Sequence, residues 1–82
     1  MSNADKMFEK LGFIKDYEFD DEVLYISKYP AGRDVLSIEF SRVSRDIGYI
    51  YFYSDIENLV SFDLLSAINE KVRELRGEAK WK

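Results

Sequence analysis

The 82-residue sequence predicts a single small α+β domain: a short N-terminal helix, a four-stranded antiparallel meander, and a C-terminal amphipathic helix packed on one sheet face. Three observations carry that prediction. Phe13 to Phe19 and Val35 to Val43 alternate apolar and polar residues with the period of two that divides a strand into faces, and Glu22 to Tyr29 and Ile47 to Tyr53 carry their tyrosines at positions of one parity. Turn-forming stretches of hairpin length separate them: Asp20-Asp21, Pro30-Ala31-Gly32 and Ser44-Arg45-Asp46. Beyond Ser61, the residues Leu64, Leu65, Ile68, Val72 and Leu75 recur at helical spacing as one apolar stripe.

From Asn3 to Leu11, Met7, Phe8 and Leu11 fall on one side of a helix, Ser2 or Asn3 can cap its start, and Gly12 suits a left-handed residue after its end. So short a helix is unstable alone, so Phe8 and Leu11 must dock on the rest of the domain. Residues 1–2 and 78–82 are expected to fray. Ser2-Asn3-Ala4 also matches the remnant of a cleaved tag and is assigned no function.

The first strand, Phe13 to Phe19, sets Phe13, Lys15, Tyr17 and Phe19 against Ile14, Asp16 and Glu18. With Asp20-Asp21 as the loop, Phe19 pairs with Glu22 and Tyr17 with Leu24. That register predicts a core side of Phe13, Tyr17, Phe19, Leu24 and Ile26. The second strand runs from Glu22 to Tyr29 and stops at Pro30. The third, Val35 to Val43, alternates Leu36, Ile38 and Phe40 against Ser37, Glu39 and Ser41.

A three-residue loop then leads to a fourth strand, Ile47 to Tyr53, with Phe40 opposite Ile50, Ile38 opposite Phe52, Ser41 opposite Tyr49 and Glu39 opposite Tyr51. A two-residue loop would set Glu39 against Ile50 and mix polar with apolar sides, so it is rejected. Ser54-Asp55-Ile56-Glu57 matches a capping box and suits a short turn. The main helix starts at Ser61 as N-cap with Asp63 in its first turn, carries Lys71, Arg73 and Arg76 toward its C-terminal end, pairs Glu70 with Arg73, and stops at Gly77. Trp81 lies in the tail, either packed on the helix end or left as an exposed contact.

Hydrophobic residues at 46% and charged residues at 34% describe a folded chain. The absence of Cys and His removes disulfides, zinc sites built on those ligands, thiol nucleophiles and histidine acid-base chemistry. No enzymatic activity and no cofactor are expected. A net charge of −4 opposes unspecific attraction to polyanions, so nucleic acid is disfavoured as a partner. With no apolar leader after Met1 and no run of membrane-spanning length, a cytoplasmic location is expected, without membrane contact.

The main functional lead is tyrosine at alternate strand positions: Tyr25 and Tyr29 on the second strand, Tyr49, Tyr51 and Tyr53 on the fourth. Together with Val23 they are predicted to form a sheet face turned away from the helices. Tyrosine offers large, rigid contact area at modest entropic cost, so this face suits a protein partner or a homodimer. Stacking of single-stranded nucleic acid on the rings is a lesser use. The same pattern also arises on any exposed strand, because tyrosine favours β-structure and keeps its hydroxyl wet.

Asp16, Glu18, Asp20, Asp21 and Glu22 place five acids in seven residues. They lack the spacing that converges ligands on a calcium ion, and a solvated turn accounts for them. As an alternative function, this acidic patch could imitate nucleic acid and occupy a host nucleic-acid enzyme. Lys28, Arg33, Arg42 and Arg45 scatter over strand ends and turns and serve solubility.

Met7-Phe8-Glu9-Lys10-Leu11-Gly12-Phe13, the aliphatic strands and Leu64-Leu65-Ser66-Ala67-Ile68-Asn69-Glu70-Lys71 resemble a group of small uncharacterised phage and prophage proteins of Gram-positive bacteria. The likeness spans most of the chain through structural positions and brings no catalytic residue. Members often carry Gly-Trp directly after the last helix, whereas Gly77 and Trp81 are separated here. The resemblance implies an accessory protein acting inside a bacterial host cell.

Overall fold

The computed structural model describes residues 2–27, 37–44, 47–53 and 60–77. The elements follow in the order α1 (Asn3–Lys10), β1 (Phe13–Glu18), β2 (Glu22–Ser27), β3 (Ser37–Ser44), β4 (Ile47–Tyr53) and α2 (Phe62–Gly77). The four strands form one antiparallel sheet in the order β1-β2-β3-β4. Both helices supply core residues to the same sheet face, as predicted. Among the described residues no helix is long and apolar enough to cross a membrane. The Pro30 turn, Val35, Leu36, Arg45, Asp46, the capping box at Ser54 and the tail with Trp81 lie outside the described residues, as do Lys28, Tyr29 and Arg33.

Each helix begins where its sequence directs, and α1 also ends there. Ser2 Oγ accepts the Asp5 amide at 3.1 Å, and Gly12, with φ 89°, takes the left-handed conformation that ends α1. Ser61 does the same for α2, its Oγ accepting the Leu64 amide at 3.0 Å. The α1 start is also capped from the other helix: the Ala4 amide donates to Glu74 Oε2 at 3.0 Å, placing a carboxylate at the positive end of the helix dipole.

The β3–β4 register agrees with the sequence reading, pairing Ile38 with Phe52, Glu39 with Tyr51, Phe40 with Ile50 and Ser41 with Tyr49. Ile38 and Phe40 are buried, and Ile50 and Phe52 pack beside them. The turn after Phe19 also forms as expected, with the Phe19 amide donating to the Glu22 carbonyl at 2.7 Å and Tyr17 opposite Leu24.

The face assignment of β1 and β2 is corrected. Val23 pairs with Phe40 and Tyr25 with Ile38, so Val23 and Tyr25 point into the core and Leu24 and Ile26 point away from it. Paired residues of an antiparallel sheet share a face, and β3 has only one apolar side to offer. In β1 a bulge at Asp16 switches sides: Phe13 stays in the core, while Tyr17 and the Phe19 stacked on it belong to the outer face.

Two residues of α2 are corrected as well. Leu65 is exposed, while Ala67 and Lys71 complete the buried stripe with Leu64, Ile68 and Leu75. Lys71, only 2% exposed, therefore belongs to the core rather than to the charged end of the helix; Arg73 and Arg76 remain exposed, and Arg73 donates to Glu70 Oε1.

Phe8 and Tyr25 form the centre of the core. Their rings stack at 4.1 Å between centroids, and Phe40 meets both edge-on, at 6.2 Å and 5.9 Å. The buried Tyr25 hydroxyl donates to Asp5 Oδ1 at 2.5 Å. Around that bond four charges alternate: Asp5 Oδ2 lies 3.1 Å from Lys15 Nζ, which lies 3.0 Å from Glu18 Oε1; Lys71 Nζ stands 3.7 Å from Glu18 and 4.0 Å from Asp5. The ring joins α1, β1 and α2 and compensates the buried ammonium, which also sits 5.9 Å from the Tyr25 ring centroid.

Burial alone would raise the Asp5 carboxyl, yet the hydrogen bonds from Tyr25 and Lys15 and the nearby ammonium groups hold it below its ordinary 3.8. Burial pushes the Tyr25 phenol up, and its bond to the Asp5 carboxylate pushes it further. Lys15 is raised: burial works against it, but hydrogen bonds to Glu18 and Asp5 prevail.

Leu64→Ala should cost about 2–4 kcal/mol and Leu65→Ala less than about 1 kcal/mol in urea unfolding; equal costs would contradict the phase of α2. A carboxyl lowered in the folded state stabilises above its unfolded value and loses that contribution as pH falls through the folded value. Asp5→Asn should therefore be less stable than wild type at neutral pH and lose less stability on acidification below pH 3.8; parallel acid limbs would exclude Asp5 as the group responsible.

Candidate site on the outer sheet face

Strand alternation builds this face from residues whose neighbours on either side enter the core. Three rows cross the sheet: Ile14, Ile26, Ser37 and Tyr53; Tyr17, Leu24, Glu39 and Tyr51; and Glu22, Ser41 and Tyr49. Phe19 extends the surface beyond the first strand, its ring stacked on Tyr17 at 4.9 Å. Phe19, Tyr49 and Tyr53 are 59%, 50% and 50% exposed, and Tyr51 is 43% exposed. The Tyr49 and Tyr51 rings lie 6.3 Å apart, tilted by 44°.

Of the tyrosines predicted to share a face, Tyr49, Tyr51 and Tyr53 do so. Tyr25 does not; with Val23 it lies beneath the helices, because β2 presents its odd-numbered residues to the apolar side of β3. Tyr29 lies outside the described residues. In their place the face gains Tyr17, Phe19, Leu24 and Ile26, all of which the alternation of β1 and β2 had directed to the core.

The five acids are not gathered into one patch. Glu18 turns to the helix side and faces Lys15 and Lys71, while Glu22 belongs to the outer face. Asp16 occupies the bulge, and Asp20 and Asp21 stand exposed at the turn, where the Asp21 carbonyl accepts the Arg42 amide at 2.9 Å. Among the described residues no group of three or more acidic side chains is arranged to hold a metal ion.

The chemistry of the outer face centres on one phenol. Tyr17 Oη donates to Glu39 Oε2 at 2.8 Å across the intervening strand and lies 3.5 Å from Glu22 Oε2. The hydrogen bond to Glu39, a smaller effect of burial, and the two negative charges push the Tyr17 phenol up to about 12. One hydroxyl hydrogen thus stands between two carboxylates. The arrangement can take aromatic or apolar side chains over its rings and a positive charge beside its acids.

Phe62 and Leu65 are also exposed, but they belong to the helical layer and not to this surface. Comparison with protein-family models, curated proteins and solved structures finds no match to the chain.

A phenol raised in the folded state stabilises fully below its unfolded value of 10.0 and loses that contribution as pH rises toward about 12. Tyr17→Phe should lose less stability than wild type across that interval, measured by chemical unfolding at stepped pH. Identical alkaline limbs would show that the Tyr17–Glu39 bond does not form.

Proposed function

We propose that the chain is a non-enzymatic accessory protein that works by binding another protein through its outer sheet face, with Tyr49, Tyr51, Tyr53, Tyr17 and Phe19 as the contact residues. In the phage or prophage setting implied by the sequence resemblance, that partner belongs to the cytoplasm of a bacterial host cell. The observation that carries the reading is exposed aromatic surface at both edges of one sheet face. A solitary exposed ring is ordinary, but five aromatic side chains at the two edges of one face, with Leu24 and Ile26 beside Ser37, Glu39 and Ser41 between them, make a contact surface of mixed polarity.

A second copy of the chain is one such protein, and light scattering separates it from a foreign partner. The nucleic-acid-mimic reading draws no support from the arrangement of the acids, since Glu18 and Glu22 point to opposite sides of the sheet. Stacking of nucleic-acid bases is opposed by the carboxylates of Glu22 and Glu39 among the rings.

Tyr49→Thr/Tyr51→Thr keeps β-propensity while removing both rings, so it should leave the unfolding free energy within about 1 kcal/mol of wild type. The same variant should lose partner capture in a host-lysate pull-down or, if the partner is a second copy, turn a dimer into a monomer by light scattering. Undiminished capture together with an unchanged mass would sink the proposal.

A further inference from the structure

Resting on that contact face, we infer that its occupant is a protein segment presenting arginine, whose guanidinium seats between Glu22 and Glu39 beside the tyrosine rings. The geometry around Tyr17 points to it. Two carboxylate oxygens, at 2.8 Å and 3.5 Å, share one hydroxyl that has a single hydrogen to give. Among the described residues, the register places no lysine or arginine on this face, and no donor reaches Glu39 Oε1. Among the described residues, the face thus holds two negative charges with no cation of its own layer beside them, unlike Asp5 and Glu18 on the inner side.

A planar guanidinium matches this arrangement better than an ammonium. Its five donors can reach two carboxylates at once, and its flat surface stacks on a phenol ring. Tyr51 lies directly across from Glu39, so a ring face is at hand. The neighbouring Leu24, Ile26 and Phe19 would take apolar residues flanking the arginine.

The same charges argue against a second copy as the occupant. A two-fold contact lays one patch on its own image, and with Glu39 in the middle row that would bring like charges together out of water.

The test is an amide-shift titration of the full chain by NMR, using the capped peptide Leu-Arg-Trp-Arg-Leu and a version with citrulline, neutral but nearly isosteric, for arginine. The arginine peptide is expected to bind at least about tenfold more tightly, shifting amides of β3 and β4, with affinity falling as salt rises. Glu22→Gln/Glu39→Gln, which keeps acceptors for the Tyr17 hydroxyl, should abolish that preference. Asp20→Asn/Asp21→Asn removes the same net charge from the exposed turn and should leave it intact.

Equal binding of the two peptides, or equal weakening by the two double variants, would overturn the assignment. If that happens while Tyr49→Thr/Tyr51→Thr still loses its partner, only the arginine assignment falls. If that variant too is without effect, the contact face falls with it.

Discussion

A phenol can be buried in a core this small only if something at the far end of the ring accepts its hydroxyl hydrogen, because an unpaired buried donor costs about 1–3 kcal/mol. Asp5 supplies that acceptor to Tyr25, and its own charge then needs company. Lys15 comes from β1 and Lys71 from α2, and Glu18 closes the circle. Once pairing with β3 has turned Tyr25 inward, the need of its hydroxyl fixes where α1 lies and why a lysine occupies the middle of an otherwise apolar helix stripe. Ion pairs on a surface contribute little, but here the removal of any one member leaves its neighbours partly desolvated and unbalanced. The ring thus specifies an arrangement of elements more than it adds stability.

The outer face is the complement of that choice. With Val23 and Tyr25 committed inward, Leu24 and Ile26 have no side left but the outer one, and they supply aliphatic surface between the aromatic edges. Among the described residues, the inner layer answers its acids with lysines and the outer layer answers Glu22 and Glu39 with the Tyr17 phenol. That contrast separates a side that completes itself from a side suited to being completed by another molecule.

How much of this is legible in the sequence depends on how distinct the two sides of each element are. β3 alternates aliphatic with serine and glutamate, so its face is unambiguous, and loop parity carries that certainty across to β4, where Tyr49, Tyr51 and Tyr53 fall as expected. β2 reads Val23-Leu24-Tyr25-Ile26, apolar at both parities, and alternation has nothing to count; only pairing with β3 decides it. The bulge in β1 leaves no mark on composition, so Tyr17 and Phe19 look like core residues. In α2, counting apolar residues admits Leu65 and omits Lys71, although the spacing 64, 67, 68, 71 and 75 is the better helical stripe. The small Ala67 was the available clue. The Glu22–Tyr17–Glu39 arrangement joins three strands and is invisible without the pairing.

The bulge at Asp16 lets one six-residue strand serve both layers, its beginning feeding the core through Phe13 and its end feeding the outer face through Tyr17. Such a strand is encoded by a count of residues rather than by their kinds. Many side chains fit at position 16, which is exposed, whereas removing it would join Lys15, opposite Tyr25, directly to Tyr17, opposite Leu24, keeping each on its present face but abolishing the bend and added twist of the bulge. Length at this site therefore sets the curvature of the edge strand, while the pairing with β2 sets which side chains reach each layer.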